Sequence, residues 1–372
     1  MTLTAASPLG SASGPTASTA GQRARDRATS DFTALAQRVQ DAGLMRRRYG
    51  YYWTKMLASA AALLGWCVGF VLLGDSWWQL ANAVVLALLL TQVAFLGHDA
   101  AHRQIFASGR WNDWASLVLS DLFVGISHGW WKNKHNRHHA APNKEGADPD
   151  IQLEAIAMTP AQATRHTSPA LRWLVARQGW FFFPILLLEG LSLHVSSVRR
   201  ALDRGAKVER RGVEIAFLTL RLGGLVALVF AVLPPGLAAA FLALQLGVFG
   251  FYLGATFAPN HIGMPLVSAR LRLDFLRRQV LVSRNISGGR LTSVLMGGLN
   301  HQIEHHLFPS MARPHLRRVA PLVAEHCAAM GVPYTQTSLW RAYGQVTRYL
   351  NTVGLADRDP FLCPLVADRR SA

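Results

Sequence analysis

Two uncharged apolar runs, Met56–Gly74 and Trp77–Gly97, follow one another with only Asp75-Ser76 between them. Each is about the ~20 residues that a helix needs to cross a bilayer. A two-residue link permits only a hairpin, so the chain is committed early to crossing a membrane and returning. In hydrocarbon each backbone N–H and C=O must be satisfied inside the protein, which makes helix the conformation of such runs. Gly236–Ala258 is equally clean. Val213–Leu233 carries Glu214 and Arg221, and it spans with those side chains snorkelling or facing protein. Trp180–Val198 holds Pro184, Glu189 and His194 and is the least span-like of the five.

The composition fits this reading. Only 16% of residues are charged, against roughly 25% in soluble domains. Lys+Arg number 38 and Asp+Glu 21, a net charge of +17. On a chain with apolar spans such an excess is directed at anionic lipid and acidic partners rather than nucleic acid. The lysines are only Lys55, Lys132, Lys134, Lys144 and Lys207. That arginine bias points to a GC-rich bacterial genome and hence to the bacterial cytoplasmic membrane. Cys67, Cys327 and Cys363 are scattered, with no CxxC pair, which argues against a disulfide framework or a cysteine metal site.

Between and after the apolar runs lie three histidine clusters: His98-Asp-Ala-Ala-His102, His135-Asn-Arg-His138-His139 and His301-Gln-Ile-Glu-His305-His306. On a helix, residues i, i+3 and i+4 share a face, so each cluster aims two or three ring nitrogens one way. Imidazole suits iron, zinc and copper. Eight such histidines exceed what one mononuclear site can use, so the pattern predicts a two-metal centre. His261, just past the apolar run Gly236–Ala258, is a candidate ninth ligand, and Asn260 beside it can hold a metal-bound water. Asp99 and Glu304 are placed to orient ligand imidazoles through the other ring nitrogen. His166, His194, His315 and His326 stand alone and are read as structural, and His128 as a hydrogen-bonded surface histidine. The third cluster also matches the H-x-x-E-H zinc pattern of inverted metalloproteases. A protease site would leave five of the remaining histidines unexplained.

One metal centre requires all clusters on one side of the membrane, so an even number of crossings must separate His139 from His301. Three apolar runs lie there. The basic segment Arg199–Gly212 is cytoplasmic by the positive-inside rule, as are residues 132–139 and the stretch Arg23–Arg48. Trp180–Val198 is therefore expected to enter the interface and return. The expectation is an all-α polytopic membrane protein with four transmembrane helices (about 56–74, 77–97, 213–233 and 236–258). A cytoplasmic helical cap carries the histidines, and both termini are cytoplasmic. Residues 1–30 are read as a disordered arm, 31–350 as the domain and 351–372 as a tail. Phe32, Leu35, Val39 and Leu44 suggest an amphipathic helix lying on the membrane, and Trp111–Ser127 another helix at its surface.

The segments Gly129-Trp-Trp-Lys-Asn-Lys-His-Asn-Arg-His-His139 and His301-Gln-Ile-Glu-His-His-Leu-Phe-Pro309 carry a family resemblance. Together with His98-x3-His102 and four spans, they resemble the integral-membrane fatty acid desaturases over roughly residues 50–345. The match is to the branch with front-end and actinobacterial acyl-CoA desaturases. The family's third box begins with His or Gln. Gln302 fills that place here, with His301 one residue earlier, so either can approach the metal, Gln302 through its amide oxygen. The resemblance implies a non-haem di-iron centre, with no separate catalytic side chain, that uses O2 to place a double bond in an acyl-CoA or lipid acyl chain. It further implies membrane lipids around the substrate and a separate electron donor, a ferredoxin or small haem protein with its reductase. No His-Pro-Gly-Gly haem-domain signature occurs in the sequence. A related di-iron hydroxylase or monooxygenase is the alternative, separated by its product. A metal-binding or transport protein is a remote one, because histidines would then line the spans.

Overall fold

The computed structural model of the protein describes residues 31–355 except Glu154, His166 and Thr167. The expectations for residues 1–30, for His166 and for most of the 351–372 tail lie outside the described residues. The architecture rests on nine helices: α1 (Tyr49–Leu73), α2 (Gln79–Ala101), α3 (His128–Ala140), α4 (Gln178–Leu202), α5 (Arg211–Val232), α6 (Pro235–His261), α7 (Gln302–Leu307), α8 (Arg313–Ala329) and α9 (Leu339–Gly354). The named strands among the described residues are β1 (Asn285–Ile286) and β2 (Gln336–Thr337), paired in parallel with Asn285 opposite Gln336. The chain is an all-α polytopic membrane protein.

Five helices, α1, α2, α4, α5 and α6, are long and apolar enough to cross a membrane. They divide by burial. The apolar windows of α1 and α5 are each 11% buried, those of α2 and α6 50% and 44%. A helix apolar all round and mostly uncovered is solvated by lipid; α2 and α6 form the inner pair and carry histidines at their ends. Both run further than the apolar composition indicated, so that His98 and His261 belong to helix and not to loop.

The fifth helix, α4, is broken by a short 3-10 turn, Leu186–Leu188, just after Pro184. Pro184 has no N–H to give its own helix. At its N-terminal end Gln178 donates to the Leu350 carbonyl of α9 at 2.9 Å. Near its C-terminal end the Ser197 hydroxyl accepts from the backbone N–H of Ser127, ahead of α3, at 3.0 Å. Both ends thus touch elements of the cap. Between them α4 crosses α6 backbone to backbone: a Cβ on Gly190 would stand 2.3 Å from the Leu246 carbonyl oxygen, and one on Gly250 2.2 Å from the Gly190 nitrogen. Only glycine on both sides permits that approach.

The cap has its own core. Leu35, Val39 and Leu44 are buried against Leu276, Val280, Ile303, Leu307 and Val319. This corrects the expectation of a membrane-surface helix there: the apolar stripe of residues 31–44 faces protein, because α8 and the third cluster offer it a complementary apolar surface. The Trp111–Ser127 stretch forms an α-helix, Gly109–Ser116, that continues as a π-helix, Leu117–Val124.

The end of α6 shows how one histidine is fixed. Pro259 lies inside the helix and cannot donate to the Ala255 carbonyl. The Tyr343 hydroxyl takes that place at 2.9 Å. The buried Arg284 guanidinium meets the Pro259 carbonyl through Nε at 2.7 Å and the Ile262 carbonyl at 2.9 Å. A cation there complements the negative end of the helix dipole and satisfies its orphan carbonyls. His261 is thereby held on a rigid terminus.

Candidate metal centre

Helix register delivers the rings. His98 and His102 are one turn apart at the end of α2, and His135, His138 and His139 share one face of α3. The start of α3 is anchored by side chains from three directions. Ser127 Oγ accepts from the Trp130 N–H at 3.0 Å, Asp121 from His128 at 2.8 Å and Glu214 from Gly129 at 3.2 Å. These are donors that a helix start leaves orphaned. The third cluster sits on the short helix α7, where Gln302, His305 and His306 are related by i+3 and i+4.

Eight histidines converge, in two groups. His98, His102, His135 and His305 form one; His138, His261 and His306 form the other. His139 joins them: its Nε2 is 3.0 Å from Nε2 of His135 and 3.1 Å from Nε2 of His305, while its ring stacks on His306 at 4.2 Å. The residues fit a metal. Buried Nε2 atoms of His98, His102 and His306 have no hydrogen-bond partner, and an unpaired buried polar atom is costly unless something fills the space. Burial, then the neighbouring rings, holds His102, His135, His139, His305 and His306 well below the ordinary imidazole value. All five are neutral near pH 7, the state that binds metal.

The outward nitrogens are partly spoken for. His138 Nδ1 lies 3.0 and 3.1 Å from the two oxygens of the fully buried Asp148 carboxylate, and 3.4 Å from Asp150. Burial lowers His138, but the Asp148 hydrogen bond and the Asp150 charge outweigh it and raise the ring above its usual value. His306 Nδ1 donates to Gln279 Oε1 at 3.0 Å, and Gln279 in turn donates to the His139 carbonyl at 3.0 Å. His261 Nδ1 donates to the Val282 carbonyl at 3.1 Å. Donation through Nδ1 leaves the Nε2 lone pair facing inward.

Of the remaining predicted site residues, the structure treats each differently. Asp99 lies 3.5 Å from His98 Nδ1 and is paired with Arg313 at 2.7 Å. Gln302 is brought in: its amide nitrogen is 3.0 Å from His261 Nε2, and its Oε1 accepts from Asn260 at 3.2 Å. Asn260 keeps a buried, unpaired Oδ1. His301 is not brought in. It caps α7 with φ −105° and ψ 59°, so the helical phase that aligns Gln302 with His306 does not extend to it. Its Nδ1 is 4.0 Å from Glu304, and burial, then Arg317, lowers the ring to about 4. Glu304 does not orient a clustered ring either. It accepts from Asn285 at 2.8 Å and Tyr334 at 2.7 Å, and burial raises it to about 7.

His194 is buried and donates to the Gly125 carbonyl, and His315 and His326 are buried in the cap. His128 is hydrogen-bonded, to Ser116 at 2.7 Å, but it is buried rather than at the surface, because α3 begins under the π-helix. Sequence reasoning missed Asp148, Gln279 and Arg313. Asp148 had a signal, an Asp-Pro-Asp run nine residues past the second cluster. Gln279 had none.

Comparison with known proteins agrees with this geometry. Residues 75–338 match the family model described as fatty acid desaturase. The chain is 30% identical over 343 residues to the Delta(8)-fatty-acid desaturase of Helianthus annuus, covering 88% of this chain and 74% of that protein. It is 31% identical over 313 residues to the Delta(5) fatty acid desaturase fat-4 of Caenorhabditis elegans, covering 82% and 69%. The Delta(6)-fatty-acid desaturase fat-3 of the same organism is 31% identical over 337 residues, covering 87% and 74%.

Proposed function

The chain belongs to the fatty acid desaturase family, and on that premise we propose that its two histidine groups hold two non-haem irons which, with O2, introduce a double bond into an acyl chain. It is an integral membrane oxidoreductase acting on an acyl substrate among membrane lipids. The observation that carries the di-iron reading is the convergence of eight imidazoles in two adjoining groups, each with at least one unpaired buried Nε2 atom. His98, His102, His135 and His305 would hold one iron, and His138, His261 and His306 the other, with His139 between and the Gln302 amide beside the second. When bound, the metal pair with O2 supplies an oxidant strong enough to break an unactivated C–H bond, which no side chain can do alone. The chain's own residues orient and exclude. Asp148, Gln279 and the Val282 carbonyl fix tautomers, and Arg284 fixes the end of α6. The inner pair α2 and α6 presents the site to a chain entering from the bilayer. The names of the relatives support a carboxyl-proximal position for the new double bond.

The four-span arrangement, with α4 returning to the cytoplasmic side of a bacterial membrane, belongs to the same proposal. Support comes from the contacts of both α4 ends with the cap. A reporter after Arg204 should report the same side as one after His139, and opposite sides would break the arrangement. Electrons are proposed to come from a separate acidic one-electron carrier attracted by the net charge of +17. Turnover at limiting donor should then slow as salt rises; indifference to salt overturns that part.

Expression in a host lacking polyunsaturated lipids, with double bonds mapped by mass spectrometry, tests the activity. Fresh protein should contain about two irons per chain. A single zinc per chain, or a hydroxylated product with no alkene, sinks the di-iron desaturation reading.

A further inference from the structure

Beside the first histidine pair the cap surface holds a cleft of about 380 Å³ lined by Asp41, Arg46, Arg47, Arg48, His315 and Arg318. That volume lies within the ~300–1,000 Å³ of small-ligand sites. The lining is strongly one-signed. Its one carboxylate, Asp41, already accepts from Gln37 at 2.8 Å. Arg46, Arg48 and Arg318 are exposed, and their side chains make no ion pair or hydrogen bond among the described residues. Burial lowers the His315 ring first, the charges of Arg48 and Arg318 lower it further, and a hydrogen bond to the Arg46 backbone opposes them. Gly43, at φ +67°, makes the turn that brings Arg46 back over the cleft.

The cleft is tied to the metal centre by two connections. Arg47 donates to the Arg103 carbonyl, the residue after His102, and to the Ser310 carbonyl at 3.3 Å. Two residues before His315, Arg313 pairs with Asp99 beside His98 at 2.7 Å. The segment containing Arg46–Arg48 also leads directly into α1, so the cleft stands where the chain enters the membrane.

We infer that this cleft binds the phosphate-bearing end of the acyl substrate, resting on the acyl-chain reading above. Converging, uncompensated guanidinium groups match phosphate oxygens by bidentate, charge-assisted hydrogen bonds. The phosphate can belong to coenzyme A or to a phospholipid headgroup, and the two share this chemistry. Its place at the membrane entry and next to box one lets the head stay in the cleft while the chain runs towards the histidines.

The test uses the full-length protein in nonionic detergent free of phospholipid, with calorimetric titration of coenzyme A lacking any acyl chain, and separately of dihexanoyl phosphatidylglycerol. Arg46→Gln, Arg48→Gln and Arg318→Gln together should weaken binding of the recognised probe about tenfold or more, each removing a charge-assisted hydrogen bond. Arg38→Gln, which removes one such charge outside the cleft, where Arg38 pairs with Glu325, should leave binding unchanged and is compared with each single cleft substitution, which changes net charge equally. Binding of coenzyme A alone assigns the carrier, and binding of the lipid alone assigns the headgroup. In turnover the triple variant should raise KM for the matching substrate about tenfold with kcat little changed. The inference is overturned if the wild type binds neither probe, or if the triple variant binds as the wild type does. Intact, arginine-dependent binding without any unsaturated product would instead defeat the proposed chemistry and leave the cleft standing.

Discussion

The two histidine groups are built by different means. In the second, every ring is locked through its outer nitrogen: His138 by Asp148, His261 by the Val282 carbonyl, His306 by Gln279. In the first, His98 has Asp99 at 3.5 Å, and the buried Nδ1 atoms of His139, shared between the groups, and of His305 have no partner at all. There the rings are placed by helix register and by stacking, as where Trp131 lies 4.2 Å from His135 at 23°. The charges differ as well. Asp148 and Asp150 flank the second group, while Asp99 of the first is neutralised by Arg313. One group is preorganised by hydrogen bonds and carries local negative charge; the other depends on packing and needs the metal itself to settle its tautomers.

The largest effect is expected at Asp148. Asp148→Asn removes the carboxylate from His138 and should cost about 10–100-fold in activity or metal affinity, the range for such outer partners. Metal analysis should show the loss approaching one of two ions. Asp99→Asn should cost much less, since Asp99 already gives its charge to Arg313. Equal losses from the two substitutions would show that the groups are not built differently. Next comes Gln279→Ala, which frees both the His306 ring and the His139 carbonyl. About a tenfold fall in activity is expected, again with metal lost from the second group. Trp131→Leu attacks the first group, where a stacked ring contributes about 0.5–1.5 kcal/mol. A fall of no more than several-fold, with both metals retained, is the expected reading.

The same contrast explains what was legible in the sequence. The first group could be read because its logic is local. His98 and His102, and His135 and His139, are one turn apart on helices that composition or pattern announces. The supports of the second group come from segments with no pattern of their own: Asp148 after a turn, Gln279 in a seven-residue helix, Val282 through its backbone. Periodicity reports which face a residue occupies and not which distant chain meets it. His261 could be found only because the end of an apolar run fixed its depth. His301 misled for a converse reason, its spacing to His305 suiting a helix that begins one residue later. The apolar stripe at Leu35 and Val39 was visible, but periodicity does not tell lipid from protein as the surface that covers it.

The smallest expected effect concerns the anchor both groups share. Asp121 accepts from the His128 N–H at the start of α3, the helix that feeds rings to both sides. Burial, then the Glu214 charge, raises its carboxyl from an ordinary 3.8 to about 9. At pH 7 Asp121 is therefore protonated in the folded protein and ionised once unfolded. A raised folded value gives stability that is fully present below the unfolded value, near 4. It is lost as pH rises towards about 9. Above about pH 7, where the lowered histidines are neutral in both states and no longer oppose it, the thermal midpoint in detergent should fall as pH rises. Asp121→Asn keeps an acceptor for His128 and offers Glu214 a donor, but it cannot ionise. It should flatten the slope and leave the midpoint at pH 8 equal to or above that of the wild type. Because α3 serves both groups, metal content should change in neither. A slope that survives the substitution removes Asp121 as its cause, and selective loss of one metal would mean that the anchor favours one group.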